Sequence, residues 1–116
     1  WASWCAPCRA ELPVLAQYAA EPGAVPVLEV DERDLPKAAL ALLADLQVKL
    51  PTVADPTGEL TSMLHSPPGL PISYLLRADG SVVPVTPSGA FGSAGAVAET
   101  VARLRAPAPG PAPAGS

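Results

Sequence analysis

Cys5 and Cys8 are the only thiols in the chain, and just Ala6 and Pro7 separate them. At that spacing they stand about one helical turn apart, near enough for a disulfide to close and open in place. Pro7 suits the first turn of a helix, and the stretch from Arg9 to Ala20 holds no glycine, so a helix is expected to begin here. Cys5 then lies at a helix N-terminus, where unpaired backbone N–H groups and the helix dipole favour a thiolate. A dithiol with one activated member is a redox centre. The chemistry it points to is thiol–disulfide exchange.

Other uses of a cysteine pair fit these residues less well. Zinc wants about four ligands, and the thiol or imidazole donors are Cys5, Cys8 and His65. Haem attachment would place a histidine directly after Cys8, where Arg9 stands. A purely structural bridge closing so small a loop would remove little entropy from the unfolded chain.

The elements that must position this motif have to come from 116 residues, enough for one domain with a modest core. Hydrophobic residues reach 49% but aromatics only 4%, so that core is built of Ala, Leu and Val. A net charge of −4 with seven scattered basic residues opposes a surface that tracks phosphates, and no nucleic-acid partner is expected. The apolar run from Ala38 to Ala44 is too short to span a membrane. The chain starts at Trp1 rather than Met, so its true beginning is expected further upstream.

The first helix is expected over about Ala6–Ala20, with Leu12, Leu15, Ala16 and Ala19 on its buried face and a kink at Pro13. Val25–Val30 reads as a strand, Asp31–Asp34 as a polar connection, and Asp34 as the cap of a second helix over Leu35–Leu46. Leu35, Ala39, Leu42, Leu43 and Leu46 form that helix's inner side. A short strand at Thr52–Ala54, a turn at Asp55–Gly58 and a short helix at Leu60–Leu64 follow. Ile72–Leu76 and Val82–Val85 flank Ala78-Asp79-Gly80 as a β-hairpin, and Ser93 caps a last helix carrying Val97, Val101 and Leu104. The Pro/Ala/Gly tail, 107–116, is expected to be disordered, leaving residues 1–106 as the domain.

With these pieces in order, the sequence resembles the thioredoxin superfamily, and within it the TlpA/ResA-like thiol–disulfide oxidoreductases. The matching residues are Trp1-Ala2-Ser3-Trp4-Cys5-Ala6-Pro7-Cys8-Arg9-Ala10-Glu11-Leu12-Pro13, Asp55-Pro56-Thr57-Gly58-Glu59-Leu60, Gly69-Leu70-Pro71 and the Asp79-Gly80 hairpin. The resemblance implies an α/β thioredoxin-like fold, a central mixed sheet flanked by helices. It implies that Cys5 is the exposed nucleophile and Cys8 the resolving thiol of a redox-active disulfide. Pro71 would be a cis-proline set against that disulfide, where nearby backbone can pair with an extended client segment. Trp4, Pro7 and Glu11 are the candidates for tuning the pair, Glu11 because it lies one turn beyond Cys8. His65 and Arg9 read as solvated bystanders.

The resemblance further implies protein thiols and disulfides as partners, with an upstream thiol reductant or oxidant. No metal and no organic cofactor is called for. The resemblance implies an extracytoplasmic location and reduction there, for example of apocytochrome c before haem attachment, with an N-terminal anchor in the upstream part. The alternative reading is a thioredoxin-like module that carries a metal or holds thiol-bearing clients without turnover. Ile72 and Ser73 depart from the threonines common after the family's cis-proline, and Ser88–Gly95 is rich in glycine. The largest departure is the family's first, central strand, which would lie between the Val25–Val30 and Ile72–Leu76 strands and is absent from these residues. Sheet halves without it would keep unpaired inner edges. The chain alone is therefore expected to be marginal or to aggregate, and an upstream-extended version to fold. Thermal melts of both check this; a cooperative, high transition for the shorter one contradicts it.

Overall fold

The computed structural model describes residues 1–86 and 88–105; the expectation for the 107–116 tail lies outside the described residues. Helix α1, Ala6–Ala19, starts at the cysteine motif and runs through Pro13. Strand β1, Glu29–Glu32, is followed by α2, Pro36–Asp45, then β2, Thr52–Asp55, and the single-turn α3, Glu59–Met63. The hairpin is β3, Tyr74–Leu76, with β4, Val82–Pro84, and α4, Ala94–Arg105, ends the described chain. Each element was foreseeable in type and order; several boundaries and caps were not.

The first strand is displaced toward the C-terminus. Ala24–Leu28 lie outside any ladder, whereas Asp31 and Glu32, expected in a polar connection, pair in parallel with Ala54 and Asp55. Two partners decide this. On one side stands β2, and on the other Trp1 donates its amine to the Val30 carbonyl (2.9 Å) while Glu32 N–H donates to the Trp1 carbonyl (2.8 Å). Pro26 can offer no donor to such a ladder.

Asp34 does not cap α2. Leu35 holds that position without a side-chain cap, and its own side chain is 73% exposed rather than inward. Asp34 instead serves the cysteine loop. The capping expectation holds for Ser93, whose Oγ accepts the Ala96 N–H at 3.1 Å. Asp55 caps α3 by accepting the Glu59 and Leu60 N–H groups. Gly58 before them has φ +71, a conformation L side chains rarely adopt, so the Asp55-Pro56-Thr57-Gly58 turn favours glycine there.

Among the described residues the sheet is in two parts, the parallel pair β1–β2 and the antiparallel pair β3–β4, with no described strand joining them. The expected central mixed sheet is therefore not continuous here. Two apolar clusters hold the helices. Cys8 and Leu12 of α1 pack with Trp1, Ala2, Ala39, Leu42, Leu43 and Val48, and on the same helix Leu15 and Tyr18 pack with Ala94 and Val97 of α4. Helix α1 is the shared wall. Leu12 is 1% exposed at its centre, so Leu12→Ala is expected to cost about 3 kcal/mol and lower the melting temperature clearly. Leu40→Ala, at a side chain 67% exposed, is the control expected to change it little.

Candidate active site

Cys5 and Cys8 are joined as a disulfide, with Cα atoms 5.2 Å apart. Cys5 is the N-cap of α1, in extended conformation, and its Sγ accepts the Cys8 backbone N–H at 3.3 Å. This is the bond a cap serine or aspartate would make, supplied by sulfur instead. Cys5 is 7% exposed and Cys8 1%, so Cys5 is the more accessible residue of the pair although both are largely covered. The Cys5 N–H donates to the Ala2 carbonyl (3.1 Å), which tightens the turn leading into the helix.

The loop before Cys5 is fastened to the end of β1. Asp34 accepts the Ser3 N–H and the Ser3 hydroxyl, each at 2.7 Å. The Trp4 indole N–H donates to the Arg33 carbonyl at 3.1 Å, while the ring is 63% exposed beside the disulfide. Arg33 has φ +49, a conformation uncommon outside glycine, and its N–H is held by the Asp55 carbonyl. Trp4 and Arg33 line a cleft of about 510 Å³ with Cys5, Pro7, Glu32, Thr61 and the Pro67–Leu70 segment. The Leu70–Pro71 bond is cis, as expected, and Pro71 is buried beside the Leu70 and Ile72 that line the cleft. Pro7 is exposed at the second helical position, and His65 is exposed and outside the cleft lining.

Glu11 is not the exposed first-helix glutamate that its position allows. It is 4% exposed, and its Oε2 accepts the Phe91 N–H at 2.8 Å, across from the loop that leads into α4. Burial raises its carboxyl above the ordinary range, against that hydrogen bond. Two further acids were missed: Glu29 and Asp31, both buried on β1. Burial raises Glu29 to about 7, against the Trp1 ammonium, which lowers it, and with a smaller upward push from the Glu11 charge. Burial and a hydrogen bond with Asp34 bring Asp31 to about 7 as well. Asp34 is lowered despite its own desolvation, because Asp31, Ser3 and Leu35 all donate to it. The available signal was an acid placed between the apolar residues Leu28 and Val30.

No family model matches the sequence. Curated relatives do. The CycY thiol:disulfide interchange protein of Rhizobium leguminosarum bv. viciae is 34% identical over 84 residues, covering 72% of this chain and 44% of the relative. ResA, a thiol-disulfide oxidoreductase of Bacillus thuringiensis subsp. konkukian, is 30% identical over 87 residues, 72% of this chain and 49% of its own. Among solved structures, a secreted Mycobacterium tuberculosis disulfide oxidoreductase homologous to Escherichia coli DsbE superposes with a TM-score of 0.74. It is 28% identical and matched over 90% of this chain and 77% of its own. The chain is a TlpA/ResA-like member of the thioredoxin superfamily. It spans just under half the length of those two curated relatives. Its thioredoxin-like fold accounts for the order of elements and for α1 beginning at the cysteines.

The raised acids give stability a direction with pH. Between about 4.5 and 7 the folded chain keeps a proton on Glu29 that the unfolded chain has released, so stability falls as pH rises through about 7. For buried Glu29 this amounts to roughly 3 kcal/mol. Asp31 acts with the same sign, whereas lowered Asp34 matters only below its ordinary value of 3.8, outside this window. The melting temperature is therefore expected to be higher at about pH 5 than at about pH 8, and Glu29→Gln to flatten the trend. A melting temperature that rises across that range contradicts the assignment.

Proposed function

We propose that this chain is the dithiol-bearing part of a thiol–disulfide oxidoreductase that exchanges its Cys5–Cys8 disulfide with protein thiols. The observation that carries the reading is the Cys8 N–H directed at Cys5 Sγ at the head of α1, beside a cleft containing the cis-proline segment. Backbone N–H groups there oppose protonation of Cys5 and so favour its thiolate. The thiolate attacks one sulfur of a client disulfide, whose other sulfur leaves with the electron pair. Cys8 then gives up its proton and attacks Cys5 Sγ. The client's second thiol is released and the Cys5–Cys8 disulfide is left oxidised. A donor dithiol resets it by the reverse sequence. Pro71, in this reading, borders the place where an extended client segment lies, with Trp4 as an exposed apolar wall on the other side.

The names of the relatives support a narrower assignment. Thiol:disulfide interchange proteins and a secreted disulfide oxidoreductase are among them, which favours work outside the cytoplasm on substrates of the cytochrome c maturation type. The cysteine disulfide of apocytochrome c is the client class proposed, with an extracytoplasmic dithiol protein as electron donor. Glu11 tunes the pair from beneath Cys8, and Pro7 limits the first turn's freedom.

Substitution of each cysteine separates the two roles. Cys5→Ser is expected to reduce turnover of a model protein disulfide to the uncatalysed background. Cys8→Ser should abolish turnover as well, but leave a mixed disulfide between Cys5 and the client that is visible on a non-reducing gel. Equal trapping by both variants, or undiminished turnover in either, overturns the assignment.

A further inference from the structure

The cleft beside the disulfide has two walls that belong to different halves of the sheet. Trp4 and Cys5 stand on the wall fastened to the end of β1, through the Trp4 indole and the Arg33 carbonyl. The Pro67–Leu70 segment forms the facing wall and leads through Pro71 into β3. No described strand joins β1–β2 to β3–β4, so the distance between the walls has to be set in another way.

The facing wall has little of its own to hold it. Residues 67–72 make no hydrogen bond among the described residues. Pro67, Pro68 and Pro71 carry no N–H to offer. Leu70 packs against the cluster around Cys8 and Leu12, but an apolar contact is non-directional. The fastening lies at the two ends of the segment. Ser66 Oγ and Tyr74 Oη are hydrogen-bonded at 2.5 Å and close it at its base. The Ser66 N–H donates to the Thr61 carbonyl at 3.0 Å, which ties the same residue to α3. Helix α3 is in turn anchored on the first sheet. Asp55 of β2 accepts the Glu59 and Leu60 N–H groups. The Thr61 hydroxyl donates to Glu32 Oε1 of β1 at 2.8 Å, sharing its proton with the Gly58 carbonyl. The path from β1 to β3 thus runs through Glu32, Thr61, Ser66 and Tyr74, and the first three line the cleft.

We propose that this chain of hydrogen bonds is the strut that sets the width of the cleft, with Ser66 and Tyr74 as positioning residues for an extended protein client. The proposal rests on the exchange reading above and adds to it a means of selecting the class of client. An extended segment lies between both walls at once, so a wall left free has to be ordered at the moment of binding, which lowers affinity. A small disulfide needs only the Cys5 sulfur and is indifferent to the facing wall. The strut therefore favours polypeptide disulfides over small ones. Neither hydroxyl takes part in the exchange itself.

The test compares the full chain with Tyr74→Phe, which removes one oxygen and keeps the ring, and with Thr61→Val and Thr61→Ser. Two quantities are read: nitrogen-15 order parameters at Gly69, Leu70 and Ile72, and the rates at which the reduced chain reduces insulin and hydroxyethyl disulfide. Tyr74→Phe is expected to drop the order parameters from rigid-backbone values to below about 0.6. It should also slow insulin reduction several-fold, the loss appearing in KM rather than kcat, with the hydroxyethyl disulfide rate close to that of the unaltered chain. Thr61→Val should shift the ratio of the two rates in the same direction, and Thr61→Ser, which keeps the hydroxyl, should restore it. Equal losses with both disulfides, as a merely weakened fold would give, overturn the strut. Order parameters that Tyr74→Phe leaves unchanged overturn it too. If the segment loosens but the unaltered chain reduces neither disulfide, the exchange reading fails and the strut stands as an element of the fold. An active chain whose segment does not loosen keeps the exchange reading and loses the strut.

Discussion

The hydrogen bond from the Cys8 N–H to Cys5 Sγ is the contact on which the site depends. It makes a sulfur the cap of α1, so the first turn of that helix and the reactivity of the thiol have a single cause. Whatever holds α1 in place therefore also holds the redox centre. Leu12 and Cys8 are buried against α2 on one side, and Leu15 and Tyr18 against α4 on the other. The helix is wedged between two clusters with the cysteines at its free end. Asp34 closes the arrangement by accepting both Ser3 donors, which fixes the loop entering the cap.

Acidic groups set the tension in this structure. Glu11 on α1 and Glu29 and Asp31 on β1 are buried, and burial raises all three. Each favours a protonated form that ordinary carboxylates lose well below neutral pH. A proton held on Glu11, one turn from Cys8 on the buried face of α1, suits an exchange reaction, because a thiol must lose one proton to attack and a departing thiolate must gain one. The same burial weakens the fold as pH rises.

The motif, the helices and the hairpin were legible because their signals are local: Pro7 after a cap, leucines at helical spacing, Asp79-Gly80 between apolar runs. The cis bond before Pro71 was also foreseeable, from the resemblance carried by Gly69-Leu70-Pro71. What escaped depends on partners distant in sequence. The strand over Glu29–Glu32 is selected by Trp1 and by Thr52–Asp55, although Asp31 and Glu32 read as part of a polar connection. Asp34 looked like a helix cap because the next helix follows it, yet Ser3 claims its oxygens from 31 residues away. Glu11 was identified by position, but its burial depends on Phe91, 80 residues downstream. Period and composition do not encode such pairings.

The central claim is that the head of α1 holds one sulfur ionised. Titrating the ultraviolet thiolate absorbance of the reduced protein against pH tests it directly. One thiol is expected to ionise at least a pH unit below the ordinary value of about 8.5, and the other at or above it. Two thiols that both titrate at about 8.5 or higher in the folded protein would contradict the account.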